Sequence, residues 1–313
     1  MTELVTFGET ALRLSPADGE RFETAQDVRL RVSGTESNVA VAASSVGADT
    51  TWLSKLPDTA LGHRVARALH QHGIDTEIAW GEGGRQSLVF EEDGSDPRAS
   101  RRYEDRTACA AVTVTPGELP MDRVQAADAT FVAGSTLTLS GDIVETAEAV
   151  IRAAGEGLVA MDVDYQPGLA TPEEARETLT EVFDAVDVLF VNESELETLF
   201  DRSGNPRQVA HAVASEYDFR TVVVTRSEFG ALAWHDSVIH EHDGIETETV
   251  DPSGQHAALV GGFLGRALDG AGTDEALRYG VASATFCRTL PDPMTTATRA
   301  EIDDLVADLG NSR

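Results

Sequence analysis

The sequence predicts an α/β fold, a mostly parallel sheet with helices on both faces. Two stretches carry that expectation. From Ala129 onward short apolar runs alternate with amphipathic ones, giving strands at 130–133, 159–164 and 188–192 and helices from Ser140, Pro172 and Glu193. Strands buried on both faces read as continuous apolar runs, and parallel neighbours need a crossover, which an intervening helix supplies. The other stretch is VDPSGQHAALVGGFLGRAL at 250–268, where a turn at Ser253 and Gly254 feeds an apolar helix. The unpartnered N–H groups and positive dipole of a helix start make that turn a place for phosphate or developing negative charge, though an ordinary capped core helix has the same pattern.

The other elements follow in order. Residues 4–9 (LVTFGE) read as a buried strand ending near Gly8. The alternation at 12–15 and 29–33 suits half-exposed strands. Gly34 then leads into a helix with Asn38 near its start, an amide able to donate and accept but equally common as a cap. Residues 51–56 (TWLSKL) form the next strand, and 58–73 a helix closed by Gly73. Short strands are expected at 87–91 and 101–105, then an apolar strand at 221–226, a hairpin from 231–235 and 237–242, and closing helices at 273–288 and 298–309. Gly261 and Gly262 lie inside a helix, where each costs roughly 1 kcal/mol against Ala, so another backbone is expected against them.

The 313 residues carry 54 acidic against 24 basic side chains, a formal charge of −30, with Lys55 the only lysine. Such a surface repels nucleic acid and anionic membrane, and it suits a cytoplasmic protein adapted to concentrated salt. Cys109 and Cys287 are too few for a disulfide framework, and no signal peptide or long apolar span is visible. His70 with His72, and His240 with His242, have the spacing of shared metal ligands on a strand but lack Cys and Asp partners. There is no P-loop and no serine-hydrolase motif.

The stretch from Asp251 resembles DTTGAGDAFVGGFL, the C-terminal signature of the ribokinase-like (PfkB) sugar kinases, through Asp251, Gly254, Ala258, Val260, Gly261, Gly262, Phe263 and Leu264. Gly34 and Asn38 match that family's Gly-Gly-x-x-x-Asn, with Ser33 at one glycine. The run WLSKLPDTALGHRVARALHQHGIDT is similar to 2-keto-3-deoxygluconate kinases, and VAMDVDYQPGL to FDVNYRPxLW with Gln166 at the Arg. NESE fits Asn-x-x-Glu, and Thr225 and Gly230 fit Thr-x-Gly-x-x-Gly with Ser227 at the first glycine.

The resemblance spans residues 5–287 and implies a single ribokinase-like α/β/α domain over 1–313, with a small β lid near 12–15, 29–33, 87–91 and 101–105. It implies ATP-dependent phosphorylation of a sugar or sugar acid such as 2-keto-3-deoxygluconate, and a homodimer through the lid. By the same resemblance Gly34, Asn38, Arg106 and Gln166 meet the sugar, and Asn192, Thr225, Ser227, Gly230 and Gly254 the nucleotide. Glu195 would organise water-bound Mg²⁺, and Asp251 would shape the loop.

Three signature positions depart. The family's Ala-Gly-Asp is here Gln255, His256 and Ala257, and Ala257 stands where the resemblance puts the catalytic base. His256 is the neighbouring candidate for a displaced base, although adjacent helical residues point about 100° apart. The departures at Gln166, Ser227, His256 and Ala257 support an alternative, an impaired pseudokinase that binds sugar or nucleotide and acts as a regulator or partner.

Overall fold

The computed structural model describes residues 2–17, 19–94, 96–139, 141–226 and 230–311. Ser227, expected at the nucleotide, and Ser140, expected to start a helix, lie outside the described residues. The first part of the chain runs β1 (Glu3–Phe7), β2 (Ala11–Ser15), β3 (Arg29–Ser33), α1 (Thr35–Ser45), β4 (Asp49–Pro57), α2 (Ala60–Gln71), β5 (Asp75–Gly81), β6 (Leu88–Glu92) and β7 (Arg101–Asp105). The middle part runs α3 (Met121–Ala126), β8 (Ala129–Ala133), α4 (Gly134–Leu137), α5 (Asp142–Ala153), β9 (Leu158–Asp162), α6 (Pro172–Thr180), β10 (Val188–Asn192), α7 (Glu193–Phe200) and α8 (Pro206–Tyr217). The last part runs β11 (Thr221–Thr225), β12 (Ala231–His235), β13 (Val238–His242), α9 (Gln255–Leu268), α10 (Thr273–Cys287) and α11 (Arg299–Asn311).

A nine-stranded sheet in the order β13-β12-β11-β10-β9-β8-β1-β4-β5 is parallel from β11 to β5, and β12 and β13 extend it antiparallel. Alternate residues of its strands feed two cores. Leu4, Phe131, Phe190 and Val223 pack against Val39, Val260 and Phe263 of α1 and α9, while Val5, Val132, Leu189 and Val222 face Ile143, Leu179, Leu196 and Val213 of α5 to α8. This is the two-sided burial expected of the apolar runs, and it makes three layers.

Chain order turns back on itself at β1, which pairs with β4 on one side and β8 on the other. Ligand sites in such sheets open beyond the carboxyl ends of the strands at that reversal. From those ends the chain departs into β2 and β3 after β1, and into β6 and β7 after β5. These four strands form a separate sheet, β3-β2-β6-β7.

The glycines of α9 explain themselves by close packing. A Cβ on Gly261 would lie 2.4 Å from the Val39 carbonyl oxygen of α1, and one on Gly262 would lie 2.4 Å from Ser283 Oγ of α10. α9 is thereby pressed between two helices, which fixes where its first turn points.

Several expectations are corrected. The strand read as 159–164 ends at Asp162, because Asp164 takes a φ of +38°, outside any strand. His70 lies on α2 and His72 caps it, so they are not strand neighbours. The half-exposed edge strand β5 and the helices α3, α4 and α8 went unread. No described helix is long and apolar enough to cross a membrane.

Candidate active site

Two cavities open side by side at the start of α9. The first, about 170 Å³, is walled by the small sheet through Arg13, Val89 and Arg102, by Gly34 and Asn38 of the α1 start, and by Asp164, Gln166, His256 and Ala257. The second, about 450 Å³, is bounded by Asn192, Thr225, Gly230, His256, Leu259 and Arg288. His256 belongs to both walls, so it stands at the junction.

In the first cavity two polar side chains are left with unmet demand. Asn38 Nδ2 reaches Ser33 Oγ at 3.4 Å, but Asn38 Oδ1 and Gln166 Oε1 are buried with no partner. Both are acceptors on the cavity wall, open to N–H or O–H donors. Arg106 bonds Glu9 and Glu104, Arg102 bonds Glu104 at 2.9 Å, and Arg13 bonds Asp251 and Ser253 and forms an ion pair with Glu91. These carboxylates hold three guanidinium groups in fixed orientation with donors to spare.

The junction carries a second network. His256 Nε2 lies 2.8 Å from Asp162 Oδ2 and Nδ1 lies 3.1 Å from Thr225 Oγ1. Asp162 is fully buried, and its other oxygen has no partner. Burial pushes Asp162 upward and His256 pulls it back, so the pair holds a proton between them across neutral pH. Burial alone would lower the imidazole, but Asp162, Glu195 and Asp164 outweigh it and push His256 up to about 9. Glu195 is pushed up to about 8 by burial and by the Asp162 charge. Its oxygens accept the Asn192 and Tyr165 N–H groups, each at 2.8 Å.

The remaining candidates take supporting places. Asp251 accepts from the Ser253 amide and hydroxyl and from Arg13, shaping the turn without joining either wall. Gly254 also joins neither wall, and a Cβ there would lie 2.2 Å from the Pro293 oxygen. Gly230, on the wall of the second cavity, has φ +93° and a Cβ there would meet the His242 oxygen at 2.1 Å, so the position admits only glycine.

The profile of the pfkB family carbohydrate kinases matches residues 1–299. The chain belongs to the pfkB family of carbohydrate kinases. It is similar to a 2-dehydro-3-deoxygalactonokinase of Haloferax volcanii, 41% identical over 303 residues that cover 96% of this chain and 95% of the relative. Among solved structures it resembles the 2-dehydro-3-deoxygluconokinase of Thermotoga maritima, with TM-score 0.92, 26% identity, and 98% of this chain and all of that one covered. A sugar kinase of Pyrococcus horikoshii in complex with ATP has the same fold, with TM-score 0.82 and 18% identity over 98% of this chain and 99% of that one.

In this pfkB sugar kinase Ala257, 6% exposed, puts a methyl group on the wall of the first cavity. His256, the second residue of α9 and about 100° from Ala257 on an ideal helix, shares that wall, its ring held by Asp162 and Thr225. Sequence reading passed over Arg13, Arg102, Glu36, Asp162 and Asp164. Asp162 closes β9 at the carboxyl end where such folds place ligands, and that was its available signal.

Glu36 gives a pH prediction. It is 1% exposed, its Oε1 accepts the Ala133 N–H at 3.1 Å and the Thr136 hydroxyl at 2.6 Å, and burial pushes its pKa from 4.5 to about 8. Between those values the folded state holds a proton that the unfolded state releases, so stability falls as pH rises through that window and levels off above it. Glu36→Gln keeps the acceptor oxygen and removes the titration. Its melts should match wild type at acid pH and exceed it above pH 8 by roughly 1–4 kcal/mol. A wild-type advantage at alkaline pH would refute this.

Proposed function

We propose that this kinase moves the γ-phosphoryl group of Mg·ATP to a hydroxyl of a 2-dehydro-3-deoxy sugar acid, with the acid in the smaller cavity and ATP in the larger. One observation carries the choice of an acid. In a chain with a net charge of −30, Arg13, Arg102 and Arg106 line one small cavity. Each guanidinium is already neutralised by carboxylates of the small sheet and its edges, Glu9, Glu91, Glu104 and Asp251, so what the three offer a ligand is spare N–H donors held in fixed orientation. A carboxylate accepts such charged, forked donors more strongly than a neutral hydroxyl does. The relatives named for 2-dehydro-3-deoxy sugar acids agree with this choice.

Asn38 Oδ1 and Gln166 Oε1 would accept from the sugar hydroxyls, and Gly230 and Thr225 would border the phosphates. The protonated His256 ring lies between the two and faces the charge that develops as the phosphoryl group crosses. Mg²⁺ would enter on the nucleotide, since among the described residues no group of three His, Cys, Asp or Glu side chains is placed to hold a metal. Glu195 lines neither cavity and its oxygens accept the Asn192 and Tyr165 amides, so the ion would meet it only through water while neutralising phosphate charge. The reading places the protein in the cytoplasm with its ATP. Exposed Tyr103 on β7 and Val28 beside β3 suit a homodimer through the small sheet, which sedimentation would test.

The deciding assay couples ADP release to 2-dehydro-3-deoxygluconate, 2-dehydro-3-deoxygalactonate, fructose and ribose in molar KCl. Turnover is expected with the acids, at a kcat/KM at least about tenfold above the neutral sugars, a difference of about 1.4 kcal/mol. A preference for fructose or ribose would refute the acid. Ala257 favours a second reading, a binding protein that does not turn over. Thermal stabilisation by ATP and by the acids with no product would establish that one instead.

A further inference from the structure

Ala257 has no group to accept the proton that the attacking hydroxyl must lose, yet three carboxyl side chains line the same cavity: Glu9, Glu36 and Asp164. Two of them are committed. Glu9 Oε1 accepts from Ser87 and Oε2 from Arg106. Glu36 Oε1 holds the Ala133 amide and the Thr136 hydroxyl, and burial keeps the carboxyl protonated at neutral pH.

Asp164 is different. It is half-buried, and its Oδ2 accepts the Thr35 hydroxyl at 2.7 Å and the Ser135 hydroxyl at 2.5 Å. Among the described residues Oδ1 meets the Gln166 amide alone, at 3.5 Å, the outer limit of a hydrogen bond, and that amide lies equally far from Oδ2. The residue also takes a left-handed φ of +38°, which turns the chain out of the strand. Two hydroxyl donors fix one oxygen, the backbone is held out of the strand, and the other oxygen is left for the cavity.

We propose that Asp164 takes the proton from the attacking sugar hydroxyl, so that the base comes from the loop after β9 and not from α9. This rests on the kinase reading above. The hydroxyl oxygen forms a bond to the γ-phosphorus of ATP while the bond to the β,γ-bridging oxygen breaks. ADP leaves with that electron pair. The proton passes to Asp164 Oδ1 and from there to solvent. His256, paired with Asp162, stands beside this exchange as the positive group.

The test is a double-variant cycle with the best sugar acid. Asp164→Asn should lower kcat about 10²- to 10⁴-fold with the KM for ATP within about threefold of wild type. Ala257→Asp alone supplies the reference rate of that cycle. Combined, Asp164→Asn/Ala257→Asp should recover at least about tenfold of the lost turnover, since the second carboxylate enters the same cavity. An Asp164 that only braces the loop would leave the double variant as slow as the single. Added formate should restore turnover to Asp164→Ala, a readout that does not depend on Ala257→Asp folding. Failure of both rescues overturns the proposal, as does an Asp164→Asn enzyme within about threefold of wild type. If the wild-type chain makes no product from any sugar, the kinase reading itself falls and this one with it. Normal wild-type turnover with an indifferent Asp164→Asn removes only this inference.

Discussion

His256→Ala is expected to lose about 10²- to 10³-fold in kcat while its KM for the sugar acid stays close to wild type, the scale of removing one preorganised charge-stabilising group. The ring is the side chain common to the walls of both cavities, held by Asp162 at 2.8 Å and Thr225 at 3.1 Å. On the proposed reading it stands between sugar and ATP, beside the group that crosses, so kcat carries more of the loss than KM. With the pKa pushed up to about 9, the ring is a cation through neutral pH. Turnover should therefore decline as pH rises through that value, and the decline should vanish in the variant. The same shift is a stability contribution, present in full below the ordinary histidine value of 6.5 and lost as pH climbs through about 9. Removing the ring also strands buried Asp162. Breaking a fully buried pair costs roughly 3–5 kcal/mol, and a ring that is 31% exposed should cost less. His256→Ala/Asp162→Asn should recover that stability in thermal melts without recovering turnover. A single variant with wild-type kcat would show that His256 serves only the fold.

What the sequence made legible follows from locality. The α9 start was readable because its turn, its apolar spacing and its two interior glycines lie within one short stretch, and each has a local physical meaning. The packing of Gly261 on Val39 and Gly262 on Ser283 is the close approach those glycines announced. Asn38 and Arg106 were legible through the motifs and strand ends around them. Arg13 and Arg102 were not, because each sits on a different strand and only the pairing of β2 with β6 and β6 with β7 brings them to one cavity. Asp162 and Asp164 were hidden differently. They were read as one continuous strand, and nothing local announced the left-handed turn that sends one carboxyl to His256 and the other to the cavity.

Arg106→Lys is expected to lower kcat/KM for a 2-dehydro-3-deoxy sugar acid about 10- to 100-fold while leaving a neutral ketose such as fructose within about threefold, a loss of roughly 1.5–3 kcal/mol set by one hydrogen-bonded charged contact. Lysine keeps the positive charge, so the field of the cavity survives and the change isolates the planar fork. The side chain reaches the cavity 15% exposed, with Nε on Glu9 and Nη1 on Glu104. Those two carboxylates take Nε and Nη1, on different sides of the guanidinium, and leave Nη2 for a ligand. Removal of the whole side chain would confuse the matter, since Glu9 is 6% exposed and would be left as an uncompensated charge beneath the small sheet. The effect should appear in KM, because a contact to the sugar acid's carboxylate is the same before and during phosphoryl transfer. An equal loss on acid and ketose would mean that Arg106 braces the sheet through Glu9 and Glu104, and the cavity's preference for acids would then have to rest on Arg13 and Arg102.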